Sequence, residues 1–347
     1  MLRLRKGHGR FVGLLAVLAV ATSACSSGAG QSTADDEGGK SLEGETIEFI
    51  VSFSTGGGYD TIARAIAPFL EKELGATVII QNQDGAGGLL AANQVFSAKP
   101  DGKTIGFFAG QGIAGASLAG AEGVKFDLEK FSYVGRLSAE TRVMVASPKS
   151  EYKTIEEARS GTGVDFASAG VGAADNLDAA VLYSVLGIDG RIVTGFEGSK
   201  ETGLAITKGD VDLGSGTVSS RLSGIKDGDF RPLLVVGAER EESLPDVPIL
   251  AELELDAENK ELAEAHLNLQ NMGRMVWAPP GVPARTLAAL QDAFDAASKD
   301  PEFLEKMEQA DEAVDFTRGD AAKKVAADVL AAPEQYKALL KKAFQEK

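Results

Sequence analysis

The groups best suited to chemistry in this chain are peptide amides, and two glycine turns present them. Gly56, Gly57 and Gly58 follow the β-rich apolar run Ile47–Phe53 and precede Tyr59–Leu74, in which Ile62, Ile66, Phe69 and Leu70 recur at helical spacing. Gly85, Ala86, Gly87 and Gly88 follow a second β-rich run, Thr77–Gln81, and lead into the helix-like Leu89–Ala98. A strand that turns through glycines into a helix leaves N–H groups without acceptors at the positive end of the helix dipole, so such a turn attracts anions. Neighbouring side chains extend the offer: Ser54 and Thr55 carry hydroxyls, Phe53 an apolar wall, and Asp60 an acceptor for an amine, a hydroxyl or water. Each also has a plainer role. Ser54 and Thr55 can cap the following helix, Asp60 suits the first turn of any helix, and Phe53 can be simple core.

The second half offers similar loops. Val164–Ala167 runs into Ser168–Leu177, where Ala169, Gly170, Gly172, Ala173 and Asn176 are candidate ligand contacts; Asn176 equally suits a helix cap. Arg191–Thr194 precedes Gly195–Gly198 with Phe196, and Val211–Leu213 precedes what reads as another glycine turn, Gly214–Thr217, with Ser215. Gln111 lies in a stretch that reads as a glycine-rich loop, Ala109–Gly120. Arg136, Arg142 and Arg221 can each pair with a carboxylate, of a ligand or of the protein. His266, in a polar helix-like stretch without a cysteine or acid beside it in sequence, reads as a surface residue.

Enzymatic alternatives find little support. No Gly-x-Gly-x-x-Gly follows the first strand, and neither a Gly-Lys-Ser/Thr P-loop nor a Gly-x-Ser-x-Gly elbow is present. No His/Cys/carboxylate spacing suits a metal, and nothing calls for a cofactor. A secreted α/β enzyme, or a lobe that signals to a membrane sensor, stays the alternative to a carrier of small anions.

The elements that hold these turns alternate strand and helix. Ile47–Phe53, Thr77–Gln81 and Thr104–Phe108, separated by two helices, indicate a parallel sheet whose ligand crevice lies beyond the carboxyl ends of its strands. Phe131–Leu137 and Arg142–Ala146 read as strands that cross into a second α/β unit. Arg231–Val236 and Asn271–Ala278 read as later strands, and Pro283–Lys347 as amphipathic helices broken at Pro301 and Pro333.

At 347 residues the chain has room for two domains. Arg3, Arg5, Lys6 and Arg10 precede an apolar run, Phe11–Ala21, too short to span a membrane as a mature helix. The run ends in Thr22-Ser23-Ala24-Cys25, which resembles a bacterial lipoprotein signal with Cys25, the sole cysteine, as the lipid-bearing residue; Thr22 departs from the usual Leu or Val. Ser26–Gly44, rich in Gly, Ser, Ala and Asp, reads as a flexible tether. A formal net charge of −16 argues against nucleic acid as a partner.

Taken in order, several blocks resemble the substrate-binding proteins of tripartite tricarboxylate transporters, the TctC or Bug family. Ser52-Phe53-Ser54-Thr55-Gly56-Gly57-Gly58-Tyr59-Asp60 stands for Pro-Phe-x-x-Gly-Gly-x-x-Asp, Asn82 to Gly88 for Asn-x-x-Gly-Ala-Gly-Gly, and Pro100 to Thr104 for Pro-Asp-Gly-x-Thr. Gly170 to Asn176 matches a Gly-x-Gly-Ser/Thr-x-x-His block loosely, Leu244 to Pro248 with Glu252 and Ala278 to Pro283 match later ones, and the similarity runs from about Thr46 to the C-terminal helices. Ser52 replaces the family's proline, and Ala173 and Asn176 its hydroxyl and histidine.

The resemblance implies a type II periplasmic-binding-protein fold, two α/β lobes around a cleft. Its expected divisions are a signal at 1–24, a tether at 25–45, a first lobe at 46–143, a second at 144–265 and a return to the first at 266–347. It also implies a monomer, bound to the outer face of the cytoplasmic membrane by its lipid, that captures a di- or tricarboxylate or related acid for integral membrane permease subunits. The first-lobe turns would hold one carboxylate through amides and ordered water, and the second-lobe loops the other end.

Overall fold

The structure is a computed structural model that describes residues 42–345 apart from 197 and 311. The expected signal segment and Cys25 lie outside the described residues. In chain order the elements are β1 (Thr46–Val51), α1 (Gly58–Leu74), β2 (Thr77–Asn82), α2 (Leu89–Ser97), β3 (Thr104–Ala109), α3 (Gly110–Ala119), β4 (Ser132–Ser138), β5 (Arg142–Ala146), α4 (Ile155–Ser160), β6 (Thr162–Ala167), α5 (Ala174–Leu186) and β7 (Asp189–Val193). There follow α6 (Ser199–Lys208), β8 (Leu213–Thr217), α7 (Val218–Lys226), β9 (Arg231–Val236), α8 (Ala257–Gln270), β10 (Arg274–Ala278), α9 (Ala284–Ser298), α10 (Pro301–Gln309), β11 (Thr317–Arg318), α11 (Gly319–Leu330) and α12 (Glu334–Gln345).

Two mixed sheets result. The first has the order β11-β4-β10-β3-β1-β2, with β1 parallel to β2 and β3 and with β10 antiparallel to β3 and β4. The second has the order β7-β6-β8-β5-β9, with β6 parallel to β7 and β8 and with β5 antiparallel to β8 and β9. The chain leaves the first sheet after Ser138 and enters the second at Arg142, and it re-enters the first at Arg274. The limits expected at 143/144 and 265/266 therefore fall inside β5 and α8.

Apolar periodicity explains the packing. Ile62, Ile66, Phe69 and Leu70 of α1 are buried with Phe49, Phe107 and Phe294 on one face of the first sheet. On the other face Trp277 stacks between Phe108 and Phe131, at centroid distances of 4.8 and 5.0 Å. Local signals set the ends of helices: Thr154 and Asp256 accept N–H bonds at the starts of α4 and α8, Asp300 caps α10 with Pro301 in its first turn, and Gly75 closes α1 at φ 61°.

Three expectations are corrected here. Ala109–Gly120 is not a loop: Gly110–Ala119 is helix α3, whose glycines admit close neighbours, Met272 beside Gly110 and Leu177 beside Gly115. Gly214–Thr217 is not a turn but the body of β8, where Gly214 and Gly216 make room for Ile206 and Arg221. Residues 42–45 are not tether. Leu42 is buried against the first-sheet core, and the Gly44 N–H donates to the Gly75 carbonyl at 2.8 Å.

Candidate functional site

The carboxyl ends of β1, β2 and β3 lead into the first turns of α1, of the segment Ala86–Gly88 with α2, and of α3. At α1 no side chain caps the helix, so the amides of Gly58, Tyr59 and Asp60 open it without intrahelical acceptors. The Asp60 carboxylate is committed elsewhere. It accepts from the Arg64 Nε at 3.0 Å, the Gly56 N–H at 2.8 Å and the Asn82 Nδ2 at 3.0 Å. The Arg64 bond, joined by those of Gly56 and Asn82, outweighs burial and lowers the Asp60 pKa. Asp60 thus holds the turn instead of reaching for a ligand, and the Gly56 N–H is spent on it. Thr55 donates to the Asn82 Oδ1 at 3.1 Å, and the Asn82 Nδ2 also donates to the Phe53 carbonyl at 2.9 Å. Phe53 packs against Tyr59 with tilted rings 4.5 Å apart, Ser54 is exposed, and the Gly57 N–H turns back to the Ser54 carbonyl.

The second turn is more strained. Gly85, Ala86, Gly87 and Gly88 have φ values of 119°, 50°, 63° and 91°, and Ala86 is the one non-glycine residue with positive φ among the described residues. A left-handed alanine costs about 1–2 kcal/mol, a strain typical of ligand clamps. Within it the Gly88 N–H donates to the Gly85 carbonyl at 3.0 Å, so the amides of Ala86 and Gly87 are the candidate anion donors. Beside it Gln111, in the first turn of α3, is buried; its Nε2 donates to Glu140 at 2.9 Å, and its Oε1 has no partner.

From the second sheet, the loop after β6 faces this edge. The Gly172 carbonyl lies 3.3 Å from where a Cβ on Gly112 would stand and 3.8 Å from that position on Gly87. A cavity of about 460 Å³ opens here, lined by Ala86, Gly87, Gly112, Val171, Gly172 and Lys341. The structure therefore brings together the 85–88 turn, the start of α3 and Gly172. It does not leave all of the loop free: the Ala169 N–H donates to Asp175 at 3.0 Å and the Gly170 N–H to the Ser168 Oγ at 3.1 Å. Burial raises the Asp175 pKa against the pull of Arg142. Ala173 precedes α5, and Asn176, in its first turn, is buried with Oδ1 unpaired. Phe196 packs against the core of the second sheet.

Ser215 and His266 belong to a buried network that sequence reasoning missed. Asp178 accepts from the Arg142 Nε at 2.6 Å, the Ser215 Oγ at 2.5 Å and the Gln270 Nε2 at 2.7 Å, and meets the His266 Nε2 at 3.1 Å. The His266 Nδ1 in turn meets the Tyr336 hydroxyl at 3.0 Å. His266 is wholly buried, which corrects its reading as a surface residue: Asp178 of α5 and Tyr336 of α12 use both ring nitrogens. Burial alone would raise the Asp178 carboxyl; Arg142 and His266 reverse that and hold it at about 2. Arg136 is spent on the Asn271 carbonyl, Asp315 and Thr317. Arg221, bound to Thr202 and two carbonyls, is buried without an acid partner, and burial with nearby Arg142 lowers it to about 10. Among the described residues no three His, Cys, Asp or Glu side chains are grouped to hold a metal, and no helix is long and apolar enough to cross a membrane.

Comparison with known proteins assigns the architecture. The family model described as "Tripartite tricarboxylate transporter family receptor" matches residues 62–342. A UPF0065 protein of Agrobacterium vitis is 29% identical over 265 residues, which are 75% of this chain and 73% of that one. Two solved structures from Rhodopseudomonas palustris share the fold. MatC with bound malate is 24% identical at a TM-score of 0.66, over 85% of this chain and 99% of its own. A second protein, solved with adipate, is 20% identical at 0.67, over 86% and 97%. The two-sheet α/β fold is shared with the periplasmic binding protein BugD, 25% identical at a TM-score of 0.66 over 87% of this chain and 99% of its own, and the matched family is one of transporter receptors, not enzymes. The matched span takes in most of α1, the strained 85–88 turn, both sheet crossings and α12, and on that ground the chain belongs to the TctC family of tripartite tricarboxylate transporter receptors.

Proposed function

We propose that this protein captures a small organic carboxylate between its two sheets and delivers it to integral membrane permease subunits, held at the outer face of the cytoplasmic membrane by lipid on Cys25. The observation that carries the reading is the convergence of two helix starts, at Ala86–Gly87 and Gln111–Gly112, on the Gly172 loop of the other sheet across one cavity. Amides so aligned bind carboxylate oxygens without a cation, at close range where the protein's net negative charge is screened over about 8 Å of salt solution. The malate and adipate in the two R. palustris relatives support a dicarboxylate of four to six carbons as the first class to test.

Calorimetric titration with L-malate, succinate, adipate and citrate tests the capture. At least one of them binds stoichiometrically and is recovered unchanged; silence from all four and from related small acids defeats the proposal. The anchor has its own test, since Cys25→Ser should release the protein from the membrane fraction.

A further inference from the structure

The chain passes between the sheets at 139–141 and returns at 271–273, and the two crossings touch backbone to backbone. Gly273 has φ 49°, and a Cβ on it would stand 2.2 Å from the Ser138 carbonyl oxygen and 2.9 Å from the Ala139 Cα. Its own carbonyl accepts the Gly110 N–H at 2.7 Å, at the start of α3. A charged pair spans the same junction. Arg274, the first residue after the return, places its Nε 3.1 Å from the Glu140 Oε1 and its other arm 2.7 Å from the Glu312 Oε2. The Arg274 and Glu140 side chains are each 7% exposed. The guanidinium also lies 5.6 Å from the centre of the Tyr59 ring.

The second oxygen of Glu140 points the other way. It accepts from the Tyr59 hydroxyl at 3.2 Å and from the Gln111 Nε2 at 2.9 Å. Tyr59 and Gln111 are the second residues of α1 and α3, the helices whose first turns open the proposed site. One carboxylate on a sheet crossing thus holds both helix starts with one oxygen and Arg274, at the head of β10, with the other.

We propose that Glu140 is a positioning residue of the hinge: with Arg274 as its fork, it fixes the angle between the sheets and couples that angle to the first turns of α1 and α3. The ligand half of this statement rests on the function proposed above; the hinge half does not. The guanidinium lies within ion-pair distance of two carboxylates at once, a spread that the compact ammonium of lysine covers less well. The pair spans the points about which the sheets would turn, so losing it frees rotation rather than merely a local contact.

Spin labels at Lys72→Cys in α1 and Lys200→Cys in α6, with Cys25 replaced by serine, report the distance between the sheets. Glu140→Gln and Arg274→Met should each widen or shift the ligand-free distribution by more than about 2 Å, and the double variant should add little to either alone. Arg274→Lys, the gentler change should the others fold poorly, should fall between. Glu252→Gln, in the exposed Arg240 pair, should leave the distribution as it was. L-malate added to each variant reads the coupling: where the unsubstituted protein narrows on malate, Glu140→Gln should not. A distribution unchanged in all four hinge variants, with only the melting temperature lowered, overturns the hinge role. Absence of any response to L-malate, succinate, adipate and citrate alike in the unsubstituted protein counts against the ligand reading alone.

Discussion

Replacing Asp178 by asparagine removes one charge at nearly constant volume and leaves Arg142 buried without its counter-ion. The two side chains are 0% and 7% exposed, so solvent cannot take over the role. Breaking one side of such a buried pair costs about 3–5 kcal/mol. The pH dependence supplies a second, independent number. Asp178 is held at about 2 against an ordinary value of 3.8, a depressed carboxyl. Its linkage contribution is therefore fully present above about pH 4 and disappears as the pH falls through 2, and it amounts to about 2 kcal/mol. Urea unfolding at pH 7 and at intervals down to pH 2.5 measures both. Asp178→Asn should lose 3–5 kcal/mol at neutral pH, by about that estimate, and the gap to the unsubstituted protein should narrow only below pH 4. Glu252→Gln, in a pair 53% and 43% exposed, should stay within about 1 kcal/mol. A neutral-pH loss no larger than the Glu252 control, or a gap that does not change with acid, would refute the reasoning.

Two further substitutions probe the seam and the chain entry. Gly172→Ala places a Cβ 2.9 Å from the Phe344 ring at φ 82°, and should cost about 1–2 kcal/mol from backbone conformation alone; it should also weaken binding of whichever acid the calorimetry finds. Unfolding curves unchanged in midpoint would count against it. Leu42→Ala removes a side chain only 4% exposed and should lower stability by about 2–4 kcal/mol, whereas a flexible tether would register nothing.

Much of the scaffold was legible because its signals are local. The β1 run, the Gly56–Gly58 turn and the α1 periodicity stand together within a short span, and Arg231–Val236 was bounded by its own composition. What the sequence hid was decided from far away. The glycines of α3 look like a loop because their purpose, closeness to Met272, Gly172 and Leu177, lies in other segments. The glycines of β8 likewise make room for Ile206 and Arg221. Two partners of His266 stand 88 and 70 positions away, and the third, Gln270 four positions on, is itself bound to the distant Asp178, so the local sequence does not announce its burial. Part of the donor capacity of the glycine turns is consumed by Asp60 and Asp175, whose carboxylates fold back on the loops that precede them.

The docking of Leu42 beside Gly75 has a mechanical consequence. Gly75 ends the helix that Gly58 begins, so the seat of Leu42 and the amide-bearing rim stand at opposite poles of a rod about 25 Å long. A force applied at Leu42 would therefore load the foot of that rod and reach the first turn of α1 only along its length.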